Sequence, residues 1–241
     1  MSEPEQTPRA APEPQLVPSG VASTLTMAAL TWKRLLRGRA IMVALAIALL
    51  PVAYVAIAGR GVGPEVFVFE VLVTAVLAPM FVASSIGEDI EDRTTTYLWS
   101  RPIPRWAIVA GKLLVLVPAA AAIVLASWVL AANLAWHELP PARTCAALAI
   151  GVLAISVLSA GIASIAPRHG MALSIVYVLF FDSPLGVMPA TLRELSITHQ
   201  VRTLSGLYPG EDGVQQAAVA LAIMVALWGA LAAARMRRLE A

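Results

Sequence analysis

The sequence carries few charged residues. Asp, Glu, Lys and Arg make up 13% of its 241 residues, about half of the roughly 25% found in an average soluble domain. So few charges cannot cover the surface of a water-soluble fold of this length, whereas 59% of the residues are hydrophobic. The one cysteine, Cys145, excludes an internal disulfide and a site built from several cysteines. These absences indicate a protein whose surface is covered mostly by lipid.

The sequence also lacks the phosphate-binding motif Gly-x-x-x-x-Gly-Lys-Ser/Thr. The pair Gly111-Lys112 has Trp106 at the position of the first glycine and Leu113 after the lysine. We therefore expect this chain to hydrolyse no ATP itself, to be no enzyme and to bind no cofactor. No metal site is expected, because the histidines fall in three different predicted loops, where each is interpreted as solvated. These residues are His137, His169 and His199.

Six apolar windows are long enough to cross a bilayer core of about 30 Å, which requires about 20 residues as a helix. They cover about residues 40–59, 66–86, 108–136, 144–166, 171–190 and 214–234. Backbone amides in lipid must bond within their own segment, and these runs do not alternate as barrel strands do, so helices are expected. The predicted fold is all-α. Residues 21–241 form a six-helix transmembrane domain after a disordered cytoplasmic tail, residues 1–20, which is rich in proline and glutamate.

The distribution of Lys and Arg predicts that both termini lie in the cytoplasm. With that orientation, twelve of the Lys and Arg residues after the tail fall in cytoplasmic segments and four in outer loops. The four are Arg60, Arg143, Arg193 and Arg202.

The segment before the first span predicts an amphipathic helix over residues 22–38 that lies on the cytoplasmic membrane surface. Its apolar residues recur every three to four positions: Leu25, Ala29, Trp32 and Leu36. Its basic residues lie mostly off that stripe: Lys33, Arg34 and Arg37. Ser23 or Thr24 is the expected N-cap. A simple charged flank that ends the first span is the alternative.

The cytoplasmic loop of residues 87–107 has an ordered charge pattern. Its acids come first: Glu88, Asp89, Glu91 and Asp92. Its bases come later and continue just past it: Arg93, Arg101, Arg105 and Lys112. Acids near a helix N-terminus and bases near its C-terminus oppose the macrodipole, so the pattern predicts a short, self-contained helix.

Two further features of this loop favour a docking function. Pro102 and Pro104 prevent its helix from continuing into the third span. An apolar and aromatic run supplies the surface typical of an interface centre. The run is Tyr97, Leu98 and Trp99. A solvated connector whose charges only set the topology is the alternative.

The loop resembles that of a known protein family. The order Glu91, Thr95, Leu98, Arg101-Pro102, Arg105, Gly111-Lys112 is similar to the loop after the second span in permease subunits of type-2 ATP-binding-cassette (ABC) exporters. The resemblance implies that this loop holds a coupling helix, which docks into a cleft on a separate ATPase subunit. It also implies two ATPase copies that hold ATP and Mg²⁺, a second permease subunit, a bacterial cell membrane and no nucleic acid.

Two acids lie within predicted spans, where such groups usually face a cavity or a partner. Glu70 is in the second span and Asp182 is in the fifth, and both are candidates for a translocation path. Asp182-Ser183-Pro184 is also typical of a helix start, so we predict a break of the fifth span there, with Asp182 as the cap. Short re-entrant or surface helices are then expected over residues 184–207.

Three functions remain open at this point: an exporter permease, a secondary transporter or channel, and an intramembrane enzyme. A secondary transporter predicts paired broken helices in two related halves, and only the break at Asp182 is predicted here. An enzyme would use the loop acids to bind a metal or a phosphate-bearing lipid. The sequence does not indicate which substrate is transported.

Overall fold

The computed structural model describes residues 19–59, 63–91, 105–188, 191–208 and 213–238. These residues form helices and short turns and contain no strand, which confirms the all-α prediction for the described part of the chain. The predicted tail falls almost entirely outside the described residues. Residues 92–104 of the predicted coupling loop lie outside them as well.

The α-helices are labelled in chain order. They are α1 (Gly20–Arg37), α2 (Ala40–Ala58), α3 (Gly63–Glu91), α4 (Arg105–Trp136), α5 (Ala142–Ile165), α6 (Gly170–Val176), α7 (Ile197–Ser205) and α8 (Val214–Arg238). Helix α6 continues through a π-helical segment, Tyr177–Asp182, into one last α-helical turn, Ser183–Leu185. Short 3-10 turns, Pro167–His169 and Thr191–Leu195, precede α6 and α7.

Five helices are long and apolar enough to cross a membrane: α2, α3, α4, α5 and α8. They indicate a multi-pass membrane protein. The expected fifth span is shorter, because its three consecutive segments have 7, 6 and 3 residues. At about 1.5 Å per residue they rise about 24 Å, less than a bilayer core of about 30 Å. Length therefore shows five of the predicted spans, and the remaining one, over residues 171–190, stays a prediction.

Helices α3 and α5 form the centre of the bundle. In their most apolar windows, 72% of α3 and 67% of α5 is buried, against 17–28% for α2, α4 and α8. The two helices pack against each other, and α4 and α8 flank them. Small residues on one face of α5 are buried, as close helix packing requires: Ser156, Ala160 and Ser164.

Trp128 of α4 joins three helices near one end of the bundle. Its side chain is fully buried and packs edge-to-face on Phe67 of α3, with ring centroids 5.3 Å apart. Its indole Nε1 donates a hydrogen bond of 2.9 Å to Thr144 Oγ1 of α5. The opposite end of α3, where α4 begins, is called the loop face below, because residues 92–104 connect the two helices there.

The predicted break at Asp182 is wrong. The backbone stays helical from Gly170 to Leu185, and Asp182 makes no side-chain cap to the turn that follows it. The π-helical segment takes up the disturbance instead: the Ser183 amide bonds to the Val178 carbonyl five residues back, so the missing amide of Pro184 falls where the hydrogen-bond pattern changes. The chain leaves the helix at Gly186 and returns through α7.

Two smaller predictions are also wrong. Helix α1 begins at Gly20, with Ser19 rather than Ser23 or Thr24 as the N-cap; Ser19 Oγ accepts a hydrogen bond from the Ala22 amide at 3.2 Å. His199 is not a solvated loop residue, since it lies in α7 and is 5% exposed. Helix α7 packs against α5, and this packing buries His199.

Candidate functional site

Four charged side chains bring three helices together on the loop face. They are Arg34 of α1, Glu88 and Asp89 of α3, and Lys112 of α4. We call these four residues the ionic junction. The Arg34 guanidinium pairs with Glu88 and lies 3.5 Å from an Asp89 carboxylate oxygen. Lys112 Nζ lies 2.5 Å from the other Asp89 oxygen, so Asp89 connects the two cations.

The two pairs of the junction differ in energy because they differ in exposure. The side chains of Arg34 and Glu88 are 59% and 52% exposed, and a pair of that kind contributes about 0–1 kcal/mol. Lys112 and Asp89 are only 4% and 17% exposed. Removing one partner of a buried pair costs about 3–5 kcal/mol, because the other charge is left uncompensated. The Lys112–Asp89 pair is therefore the stronger link between α3 and α4 in the junction.

Lys112 also contacts the backbone of α3 near its C-terminal end. Its Nζ donates a hydrogen bond to the backbone carbonyl of Ser85, in the second-last turn of a helix that ends at Glu91. A lysine at this position opposes the negative end of the helix macrodipole. Asp89 alone would be unfavourable at this helix end, and the two cations offset it.

Two glycines permit the close contacts around the junction. A methyl group on Gly111 would lie 2.7 Å from the Thr24 carbonyl oxygen and 2.8 Å from Met27 Cβ, so α1 crosses α4 at this residue. A methyl group on Gly87 would lie 2.5 Å from the carbonyl oxygen of Pro167 in the turn before α6. The Gly111-Lys112 pair thus combines a helix crossing with the buried cation.

The structure places the predicted loop residues unevenly. Glu88 and Lys112 meet in the junction, whereas Glu91 ends α3 and Arg105 begins α4. The remaining predicted coupling residues lie outside the described residues: Asp92, Arg93, Thr95, Tyr97, Leu98, Trp99 and Arg101. The self-contained coupling helix is therefore still a prediction.

The prediction that the first loop acids begin a separate helix is wrong. Glu88, Asp89 and Glu91 belong to the C-terminal turns of α3 instead of the start of a separate helix. Helix α3 continues about five residues past the predicted end of the second span, because Lys112 and Arg34 neutralise acids at an otherwise unfavourable helix end. The sequence did not predict that α1 crosses α4 at Gly111 or that Lys112 pairs with Asp89. The adjacent residues Gly111 and Lys112 were the signal that could have located both contacts.

Asp182 holds α7 at the opposite end of the bundle. Its carboxylate accepts hydrogen bonds from the amides of Ile197 at 2.7 Å and Thr198 at 2.8 Å, and from Ser196 Oγ at 3.2 Å. At the other end of α7, Arg143 Nε donates to the Leu204 carbonyl at 2.7 Å. An acid at the N-terminus and a base at the C-terminus both oppose the macrodipole. Asp182 therefore accepts the first amides of α7, beside the N-cap residue Ser196, rather than those of the turn that follows it in sequence.

Glu70 has its own surroundings. It is fully buried in α3, and its Oε2 lies 3.1 Å from Ser127 Oγ of α4. Ser127 Oγ also lies 2.5 Å from the carbonyl oxygen of Ala48 in α2, so this polar contact joins three helices inside the bundle. The two acids proposed for a translocation path thus have different partners in the described structure.

No protein-family model matches the chain, and no curated protein matches its sequence.

Replacing Lys112 with Met leaves Asp89 buried beside a partly exposed guanidinium. We expect the apparent melting temperature in detergent to fall by roughly 6–12 °C, from a loss of about 3–5 kcal/mol in a protein of this size. Fluorescence-detected size-exclusion chromatography after heating measures this. Lys33→Met on exposed α1 is the matched control and should melt as the wild type does. Equal melting of the two variants would contradict the assigned weight of the buried pair.

Replacing Asp182 with Ala removes the acceptor of the Ile197 and Thr198 amides of α7 and should lower the melting temperature by roughly 1–5 °C. Asp182→Asn keeps one acceptor oxygen, so its loss should be clearly smaller. The exposed acid Glu138, changed to Ala, controls for the loss of one negative charge. If the Asn and Ala variants melt together, the charge rather than the acceptor geometry stabilises this end.

Proposed function

We propose that this chain is the membrane-spanning permease subunit of an ATP-driven transporter, similar to the type-2 ABC exporter permeases. A separate ATPase subunit, in two copies, holds ATP and Mg²⁺ and hydrolyses the nucleotide. The chain lies in a bacterial cell membrane with both termini in the cytoplasm, and the loop face is cytoplasmic. Movement of the ATPases reaches the spans through residues 92–104.

The ionic junction is the observation that supports this proposal most. Coupling requires an element with two states that both sites bias. A loop transmits motion only if its two ends are held against the helices that move. Helices α3 and α4 are held to each other by Lys112 and Asp89 directly at the base of that loop. A connector that only sets topology needs no such buried brace.

The exposed face of α1 supports the predicted position on the membrane surface. Its buried residues, Met27, Thr31 and Leu35 among them, face α4. The predicted apolar stripe points away from the protein: Leu25, Trp32 and Leu36 are 58%, 49% and 58% exposed. Lipid covers that stripe in this proposal, and the basic residues Lys33, Arg34 and Arg37 flank it.

The assembly we propose contains a second permease subunit, identical or similar to this one. Helices α2 and α8 carry many exposed apolar side chains, such as Leu49, Ile57 and Leu227. In the assembly these faces are divided between lipid and the second subunit. The proposed assembly contains no nucleic acid.

A secondary transporter is the second candidate, and Glu70 favours it. A fully buried carboxylate between α2, α3 and α4 is the kind of group that carries protons in such proteins. The two candidates differ in one requirement. An ATPase partner is needed in the first and absent in the second.

Co-purification tests the proposed function. The tagged chain, extracted in mild detergent, should bring a nucleotide-binding protein with it in a defined ratio. The triple variant Tyr97→Ala, Leu98→Ala, Trp99→Ala should weaken that association at least about thirtyfold, since interface anchors each contribute about 2 kcal/mol or more. Membrane insertion and melting temperature should persist.

The matched control changes three exposed apolar residues on the opposite face: Val187→Ala, Leu192→Ala and Leu195→Ala. Their loss should leave the association unchanged. Wild-type association of the Tyr97, Leu98 and Trp99 variant would contradict the docking assignment. A chain that purifies with no nucleotide-binding protein, and transports when only a proton gradient is supplied, would favour the secondary transporter.

A further inference from the structure

A cavity of about 210 Å³ opens between α1, the start of α2, α3 and α4 on the loop face. Its polar lining includes Arg34, Arg39 and Glu88, and its apolar lining includes Met80, Phe81 and Leu116. Met80 lies eight residues before Glu88 in α3, or about 12 Å deeper along the helix. The cavity therefore has a charged outer end and an apolar inner end.

The outer end favours an anion. Arg34 and Glu88 compensate each other there. Arg39 is exposed and is in no ion pair with any carboxylate among the described residues, so the lining carries a net positive charge.

The backbone adds to that charge. Arg39 is the N-cap residue of α2, and its side chain does not cap the helix, while Ala40 lines the cavity. The first-turn amides of α2 lack acceptors within the helix, and such a terminus attracts phosphate groups. A guanidinium and a helix N-terminus thus face the same space.

The depth of the cavity narrows the choice of anion. Arg39 directly precedes the apolar helix Ala40–Ala58, so it lies where the hydrocarbon core of the membrane ends. Headgroups of anionic lipids occupy this level, and basic pockets between spanning helices bind them. A free phosphate ion would use the outer end alone, whereas a phospholipid also fills the apolar end beside Phe81 and Leu116.

We propose that this cavity binds the phosphate-bearing headgroup of an anionic phospholipid, with Arg39 as the main cation. The start of an acyl chain lies along Met80, Phe81 and Leu116. The bound lipid then bridges α1 and α2 to the end of α3, beside the ionic junction. This site does not depend on an ATPase partner, so it is tested on the purified chain alone.

Thermal unfolding in mixed micelles tests the site. Phosphatidylglycerol, added stepwise to the purified chain in a neutral detergent, should raise the melting temperature to a plateau, and phosphatidylcholine should not. Arg39→Gln should require about fivefold more phosphatidylglycerol for half of the effect, since each basic residue at the membrane surface contributes about that factor. Arg39→Lys should restore most of it. Arg37→Gln removes the same charge from the end of α1 outside the cavity, and its titration should match the wild type.

Three results would overturn the proposal. Phosphatidylcholine as effective as phosphatidylglycerol would remove the headgroup from it. Equal weakening by Arg39→Gln and Arg37→Gln would indicate a general surface charge instead of this cavity. Inorganic phosphate that produces the full plateau without lipid would make the site one for a free anion.

Discussion

The buried pair between Lys112 and Asp89 is the contact on which the loop face depends. Neither charge is stable there alone, so the pair holds the end of α3 and the start of α4 together. Lys112 also binds the Ser85 carbonyl, and Gly111 beside it admits α1. Two adjacent residues of one helix therefore connect three helices. The helix ends that the segment after α3 connects are therefore held in place by an ion pair and by backbone contacts.

The opposite face uses the same physical device. Asp182 and Arg143 lie at the two ends of α7 and oppose its dipole, so a short helix is held in a largely apolar bundle. Asp182 and Arg143 satisfy the ends of α7, where a helix in lipid has unpaired amides and carbonyls, and Lys112 opposes the negative end of the α3 dipole. Glu70 is different, because it lies about two turns inside α3 and its carboxylate contacts a serine rather than a helix end. A structural role at a helix end therefore explains Asp89 and Asp182 but does not explain Glu70.

The long apolar helices could be predicted from the sequence, because a bilayer demands one uninterrupted apolar run for each crossing and permits little else. The contacts between them could not. Asp89 was one acid among four in a loop, and only its distance to Lys112 distinguishes it. The same holds for Asp182: its spacing from Pro184 indicated a cap, but the capped helix lies 15 residues further on, at Ile197. The sequence pattern predicts where helices form, whereas tertiary packing determines which residues distant in sequence come into contact.

Exchanging the two buried charges tests most directly whether the ionic junction is needed for association with the ATPase subunit. In Asp89→Lys with Lys112→Asp, the cation stands at the C-terminal end of α3 and the acid near the start of α4, so both oppose their helix dipoles. The measurement is the affinity of each variant for the co-purified nucleotide-binding protein. We predict weak association for each single substitution and recovery in the exchanged pair. Wild-type affinity in both single variants, or an exchanged pair as weak as they are, would contradict the account.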